Sequence, residues 1–311
     1  MRLATLSLFC FLLIACSTGQ RQLYNTYRLS QKSFQTDAGP LAYKDEGQGP
    51  PLILLHGVPT SSWLYRKVIP DLAKNHRVIA VDLIGYGSSA KPDSSAAYQP
   101  AKQAQRVRAL AKSLNLSSYS LLFHDMGGLV AWEMMRQDHS SIDNLIVLNT
   151  IIRKEGFNPP DLKPGFMTET LAKALTSRQS NDAVLAITLN SLGLNKAHKL
   201  SNRECSGYVQ PLREGSEKAL EQFYSGLSQP GFYERLEQNA SVFRRYQGDT
   251  LVLWGAKDEV LTPQQIPFLS EHLRIPKESV HIYPEHSHFL AEEDPDELVQ
   301  KVTSFLEQSD N

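Results

Sequence analysis

The stretch FHDMGG, residues 123–128, lies between the apolar run YSLLF and the helix-like run GGLVAWEMMRQ. A tight strand-to-helix turn built to present one reactive side chain carries small residues two positions either side of it, because the turn leaves no room beside it. Here Asp125 holds the reactive position, Gly127 the second small position and Phe123 the first. A serine at such a turn suits attack on a carbonyl. On a saturated carbon it would leave an ether, which water does not readily cleave. A carboxylate is already ionised at neutral pH. It displaces a leaving group from carbon and becomes an ester whose carbonyl belongs to the protein, so water can regenerate it. The spacing predicts carbon–halogen or epoxide cleavage. The other role open to Asp125 is to cap the helix starting at Met126.

Release of such an ester needs a base to activate water and an acid to orient that base. PEHSHFLAEEDPDEL, near the C-terminus, offers His288, with His286 as its rival. LVLWGAKDEVLTP offers Asp258 just past a strand, with Glu259 beside it as a solvated neighbour. The order Asp125, Asp258, His288 is nucleophile, acid, histidine. LLHGVPTSSW ends a strand at His56 and Gly57. The backbone N–H groups of Val58 and Met126 are the expected oxyanion donors, each worth about 3–4 kcal/mol of barrier. His56 is expected to brace its loop rather than act as a base. Neither a zinc-type ligand cluster nor a phosphate loop is evident, so no metal or organic cofactor is implied.

These residues need a scaffold. PLILLHG, HRVIAVD, YSLLF, NLIVLN, TLVLWG and SVHIYP read as strands, and amphipathic helical runs separate most of them. Strands that are continuous Val, Ile and Leu runs belong to a mostly parallel sheet with helices on both faces. Residues 151–247 break that rhythm and read as helices without a core strand. The expected organisation is therefore an α/β core over 31–150 and 248–311, with a helical cap inserted over 151–247. Ligands of open α/β sheets bind beyond the carboxyl ends of the strands, where such a cap would lie.

The chain has 311 residues, with 33 acidic and 32 basic side chains. That balance gives no electrostatic case for nucleic acid or an anionic surface. At the N-terminus, Arg2 precedes an apolar run too short to span a bilayer, and the run ends in LIAC. LIAC resembles a bacterial lipobox, which implies that residues 1–16 are a lipoprotein-type signal and that Cys16 is acylated; 17–30 read as an irregular polar tether. Ser17 resembles the outer-membrane pattern, which implies a bacterial envelope protein facing the periplasm. An ordinary signal peptide with an incidental Cys16 is the alternative. Cys10 would be removed and Cys16 acylated, which leaves Cys205 no second cysteine for a disulfide and the fold no disulfide framework.

HGVPTSSWLYRKVIP and VDLIGYGSSAKPD resemble haloalkane dehalogenases. HDMGG, WGAKDEV and HFLAEEDP fit those enzymes or epoxide hydrolases. The resemblance, to the α/β-hydrolase fold and that group within it, covers roughly residues 35–308. It implies Asp125 as nucleophile, His288 as base and Asp258 as its partner. Dehalogenases resembling this chain hold the leaving halide with a Trp directly after the nucleophile and often an Asn in the oxyanion loop. Met126 and Val58 stand there instead, and the three tryptophans, Trp63, Trp132 and Trp254, all fall outside the cap. Epoxide hydrolases protonate the opening oxide with cap tyrosines. EQFYSGLSQPGFYERL nominates Tyr224, and YVQPL adds Tyr208 as a second candidate; Tyr233 and Tyr246 are the other tyrosines there. The expected activity is epoxide opening on a small apolar organic substrate, with dehalogenation as the alternative. A lipid-anchored binding protein that kept the scaffold and lost activity is the reading from another class. An esterase is disfavoured because no serine stands at the turn.

Overall fold

The computed structural model describes residues 23–159 and 200–309. The described chain builds one eight-stranded sheet in the order β1-β2-β4-β3-β5-β6-β7-β8. The strands are β1 (Lys32–Thr36), β2 (Gly39–Glu46), β3 (Pro51–Leu55), β4 (Arg77–Val81), β5 (Tyr119–Asp125), β6 (Ile142–Thr150), β7 (Asp249–Gly255) and β8 (Val280–Tyr283). β1, β2 and β4 pair antiparallel in succession; every pairing from β4 to β8 is parallel. All seven residues of β5 are buried. Its run of Tyr, Leu and Phe is covered on both faces, as strands joined by helical crossovers must be. The sheet is thus mostly parallel with an antiparallel edge, and β1 and β2 are the strands the sequence reading did not assign.

The helices are α1 (23–29), α2 (Ile69–Leu72), α3 (Pro100–Ser113), α4 (Met126–Gln137), α5 (Asn202–Pro211), α6 (Glu217–Leu227), α7 (Phe232–Glu237), α8 (Asn239–Phe243), α9 (Ile266–Leu273), α10 (Leu290–Glu293) and α11 (Pro295–Ser309). Pro100 opens α3, where its missing N–H costs nothing. α5 begins with a capping box, in which Ser201 and Glu204 satisfy each other's backbone N–H groups. Of the expected insertion, residues 151–159 and 200–247 are described, and α5 to α8 lie there. An isolated antiparallel bridge, Phe157 to Leu261, ties its first residues to the core.

One expectation is corrected. Residues 23–29 are helical rather than an irregular tether. Tyr24 and Tyr27, one turn apart, meet the indole of Trp63 edge-on at 5.4 and 5.1 Å. The aromatic contact outweighs the polar composition that suggested a linker.

Candidate active site

β5 ends and α4 begins at Asp125, whose φ of 51° and ψ of −121° are strained for a residue with a side chain. It holds the N-cap position yet makes no side-chain capping bond, so capping does not explain it. The strain is held by close packing. A Cβ on Gly57 would lie 2.3 Å from the Asp125 side chain, and one on Gly127 would lie 2.5 Å from the Leu55 carbonyl oxygen. Thr150 Oγ1 donates to the Asp125 carbonyl oxygen at 2.6 Å. Phe123, large where a small residue is usual, fits because its ring packs edge-on against Trp132 at 4.9 Å.

The carboxylate oxygens of Asp125 face different partners. Oδ1 accepts from Val58 N at 2.7 Å, and the Met126 N–H also hydrogen-bonds the carboxylate. Oδ2 lies 3.9 Å from His288 Nε2. His288 Nδ1 donates to Asp258 Oδ2 at 2.7 Å, and the loop amides of Val260 and Leu261 both donate to Asp258 Oδ1 at 2.9 Å. Asp125, Asp258 and His288, from the ends of β5 and β7 and the loop after β8, are therefore brought together as the spacing predicts.

Burial raises Asp125 above the ordinary carboxylate value, against the opposing pull of His288 and of the Val58 and Met126 amides. Burial also disfavours the His288 imidazolium, but the charge and hydrogen bond of Asp258 outweigh it, and the group is raised overall. His286 turns instead toward Asp294, with Nε2 3.4 Å from Oδ2. His56 is held by the backbone at both nitrogens: Nδ1 donates to Gly57 O at 2.8 Å and Nε2 accepts from Leu83 N at 3.1 Å. Glu259 is exposed.

The sequence reading assigned no role to Asn149, His124 or Tyr86. Asn149 Nδ2 donates to Asp258 Oδ2 at 2.8 Å, while its Oδ1 accepts from Gly255 N at 2.8 Å. His124 Nε2 donates to the His288 carbonyl at 2.8 Å and so positions the base through its backbone. Burial, with His288 nearby, drops His124 well below histidine's ordinary value, which keeps it neutral. Tyr86 is buried, and among the described residues its hydroxyl is hydrogen-bonded to the thioether of Met126, at 3.8 Å. Position at a strand end was the one available signal for Asn149. Lone residues of these types otherwise carry no pattern.

A family model described as the alpha/beta hydrolase fold matches residues 50–295. The chain belongs to the α/β-hydrolase family. The chain is 27% identical over 282 residues to the cis-3-alkyl-4-alkyloxetan-2-one decarboxylase of Shewanella oneidensis, covering 87% of this chain and 86% of that one. It is 26% identical over 275 residues to epoxide hydrolase 3 of Xenopus tropicalis, covering 84% and 72%. A haloalkane dehalogenase DbeA loop variant from Bradyrhizobium elkanii superposes with a TM-score of 0.71 at 21% identity, over 90% of this chain and 97% of that one. The protein is a hydrolase of this family, related to haloalkane dehalogenases and epoxide hydrolases.

Within the family, the leaving-group side of the site distinguishes this hydrolase. Each of its three indole N–H groups is occupied: Trp63 donates to Glu204 O at 3.0 Å, Trp132 to Ile151 O at 2.9 Å and Trp254 to Leu261 O at 2.8 Å. None is free to hold a halide. Burial and the charge of the Asp125 carboxylate push the Tyr224 hydroxyl up to about 12, and the same two causes raise Tyr86. Tyr208 is corrected. Its hydroxyl donates to Glu292 in a cluster with Arg66, which commits it to holding α5 on the core. Tyr246 donates to Asp143 O at 2.9 Å, on the far side of β6 from the turn.

Proposed function

We propose that this hydrolase opens epoxides through a covalent ester on Asp125. The observation that carries the reading is the leaving-group environment: every indole N–H is spent on a backbone carbonyl, which leaves no indole to hold a halide. A halide leaves as a stable anion and wants N–H donors. An opening oxide leaves as an alkoxide and needs a proton.

In the first step Asp125 Oδ2 attacks a ring carbon, the carbon–oxygen bond breaks, and the alkoxide takes a proton from Tyr224. In the second, His288 Nε2 takes a proton from water, whose oxygen adds to the Asp125 carboxyl carbon. The oxyanion forms on Oδ1, which already accepts from the Val58 amide, and the Met126 amide, which also bonds the carboxylate, is the second donor. Collapse frees the diol and restores Asp125, and the proton on His288 returns to the tyrosinate. Asp258, held by two loop amides and Asn149, steadies the imidazolium in between.

Asp125→Asn should abolish turnover in freshly made protein. His288→Gln should let the ester accumulate, read as a mass increase on the peptide containing Asp125. A screen should pair epoxides with brominated alkanes and with an alkyl oxetan-2-one, the strained ring named for the Shewanella relative. Turnover of the bromides alone would move the assignment to dehalogenation, and no turnover with no labelled peptide would favour a binding protein. We also propose that Cys16, which lies outside the described residues, is acylated and anchors the enzyme to the bacterial envelope, at the periplasmic face of the outer membrane. Cys16→Ser should then shift the protein from the membrane fraction to the soluble one. Unchanged fractionation would remove the anchor from the account.

A further inference from the structure

A second cavity, of about 260 Å³, runs beside the nucleophile turn without including its carboxylates. One wall is a single face of α4: Met126, Leu129, Trp132, Glu133 and Arg136. Their spacing of three and four residues is that of one helix stripe. Met126 is buried and Arg136 exposed, so the cavity runs from the residue after the nucleophile outward to solvent. Ten residues of helix make that path about 15 Å long. The facing wall comes from α6 and α7, through Ala219, Phe223, Leu227 and Leu236.

The chemistry changes along this path. At the inner end, Tyr86 and Met126 touch, hydroxyl to thioether, at 3.8 Å. The middle is apolar on both walls. The charged lining residues are Glu133, Arg136 and Arg235; Arg136, which is exposed, donates to Asn239 and stands 3.6 Å from Glu133, so the two charges offset each other. Most of the lining surface is apolar, which favours a ligand with a hydrocarbon body. A dry apolar slot of this shape gains by taking a hydrocarbon.

We infer that this cavity is a binding site for an unbranched alkyl chain, which carries the apolar arm of the substrate while the reactive ring sits at Asp125. The assignment of the ring rests on the proposed epoxide opening; the assignment of the chain rests on the cavity alone. The substrates so selected are medium-chain compounds with the ring near one end.

Gly226 of α6 offers a plug. It lines the cavity, and a Cβ built on it meets no heavy atom within 4 Å. Gly226→Phe therefore fills space without displacing packed atoms, and it also replaces a helical glycine, which favours the helix. Leu129→Trp blocks the same path from the opposite wall, and Gly226→Ala separates loss of the glycine from filling of the slot.

Binding comes first, measured by calorimetry with octanol and butanol, which need no turnover. Octanol should bind the wild type more tightly than butanol, by up to about fourfold per methylene. Both plugged variants should weaken octanol about tenfold or more, and Gly226→Ala much less. Equal octanol affinity in wild type and plugged proteins, or no octanol binding to the wild type, overturns the site. Turnover comes second. The ratio of kcat/KM for epoxyoctane over epoxybutane should fall about tenfold in the plugged variants. If the octanol result holds and no epoxide is turned over by any protein, the chain site stands and the ring chemistry is what fails.

Discussion

At Asp125 and His288 the same burial acts with opposite consequences. It raises the carboxyl, and it disfavours an imidazolium that Asp258 nonetheless holds above histidine's ordinary value. In the proposed mechanism the two chemical steps therefore part company in pH. Ester formation needs Asp125 ionised, so it fails as pH falls through a value above 3.8. Ester hydrolysis needs His288 neutral, so it rises as pH climbs through a value above 6.5. A single-turnover experiment at mildly acidic pH should accumulate the alkyl ester in the wild type, and a jump to mildly alkaline pH should discharge it. Immediate discharge at both pH values would show that His288 does not limit hydrolysis. Asp125, Asp258 and His288, proposed as nucleophile, acid and base, were legible as candidates because each sits in a motif with directional neighbours: a turn between strand and helix, or a polar residue just past an apolar run. Asn149, which fixes Asp258 as firmly as either loop amide, stands alone at the end of β6 and has no such context.

The strands that were legible hold apolar runs, continuous in those buried on both faces such as β5 and alternating in β8, the half-exposed strand at the other edge. KSFQT and GPLAYKDE form β1 and β2 at the sheet edge, and their burial is partial and mixed. An edge strand needs no continuous apolar run, so neither announced itself. The docking of α5 was also hidden, because it depends on charges far apart in sequence. Glu292 of α10 is buried and takes Arg66 and Lys67, while Glu204 of α5 takes the same two cations from the other side. Burial alone would raise Glu204, but Lys67 and Ser201 more than offset it and hold the carboxyl down at about 2. Its contribution is therefore complete above the ordinary glutamate value and lost only as pH falls toward 2. Removing the charge from Glu292 leaves both cations leaning on one carboxylate in a buried place. Glu292→Gln should cost about 3 kcal/mol, or roughly 6–12 °C of Tm. A loss within about 0.5 kcal/mol, the range of ordinary surface changes, would mean that the latch does not hold α5.

On the scale of the whole molecule, Trp63 is where three parts of the chain meet. Its indole N–H donates to Glu204 O of α5, its face carries the Arg66 guanidinium at 4.5 Å, and its edges meet Tyr24 and Tyr27 of α1. A Cβ on Gly207 of α5 would lie 2.3 Å from the ring, so α5 rests directly upon it. α1 is stitched on further by Tyr27 donating to Ser62 Oγ at 2.9 Å, and just beyond it Gln31 donates to Asp82 Oδ2 at 2.8 Å. Residues 23–30 of the stretch read as a tether are thus part of the folded body, and the signal lay in two tyrosines three residues apart. Burying one such ring stabilises by about 1.5–3 kcal/mol. A protein beginning at residue 20 keeps all of α1 and should therefore melt like one beginning at Cys16. One beginning at residue 31 should melt roughly 5–10 °C lower, with a red-shifted tryptophan emission as Trp63 meets water. Because the same indole supports α5, the shorter protein should also bind substrate less well while Asp125 chemistry, measured at saturating substrate, changes little. Equal melting of the two truncated forms would return residues 23–30 to the role of linker.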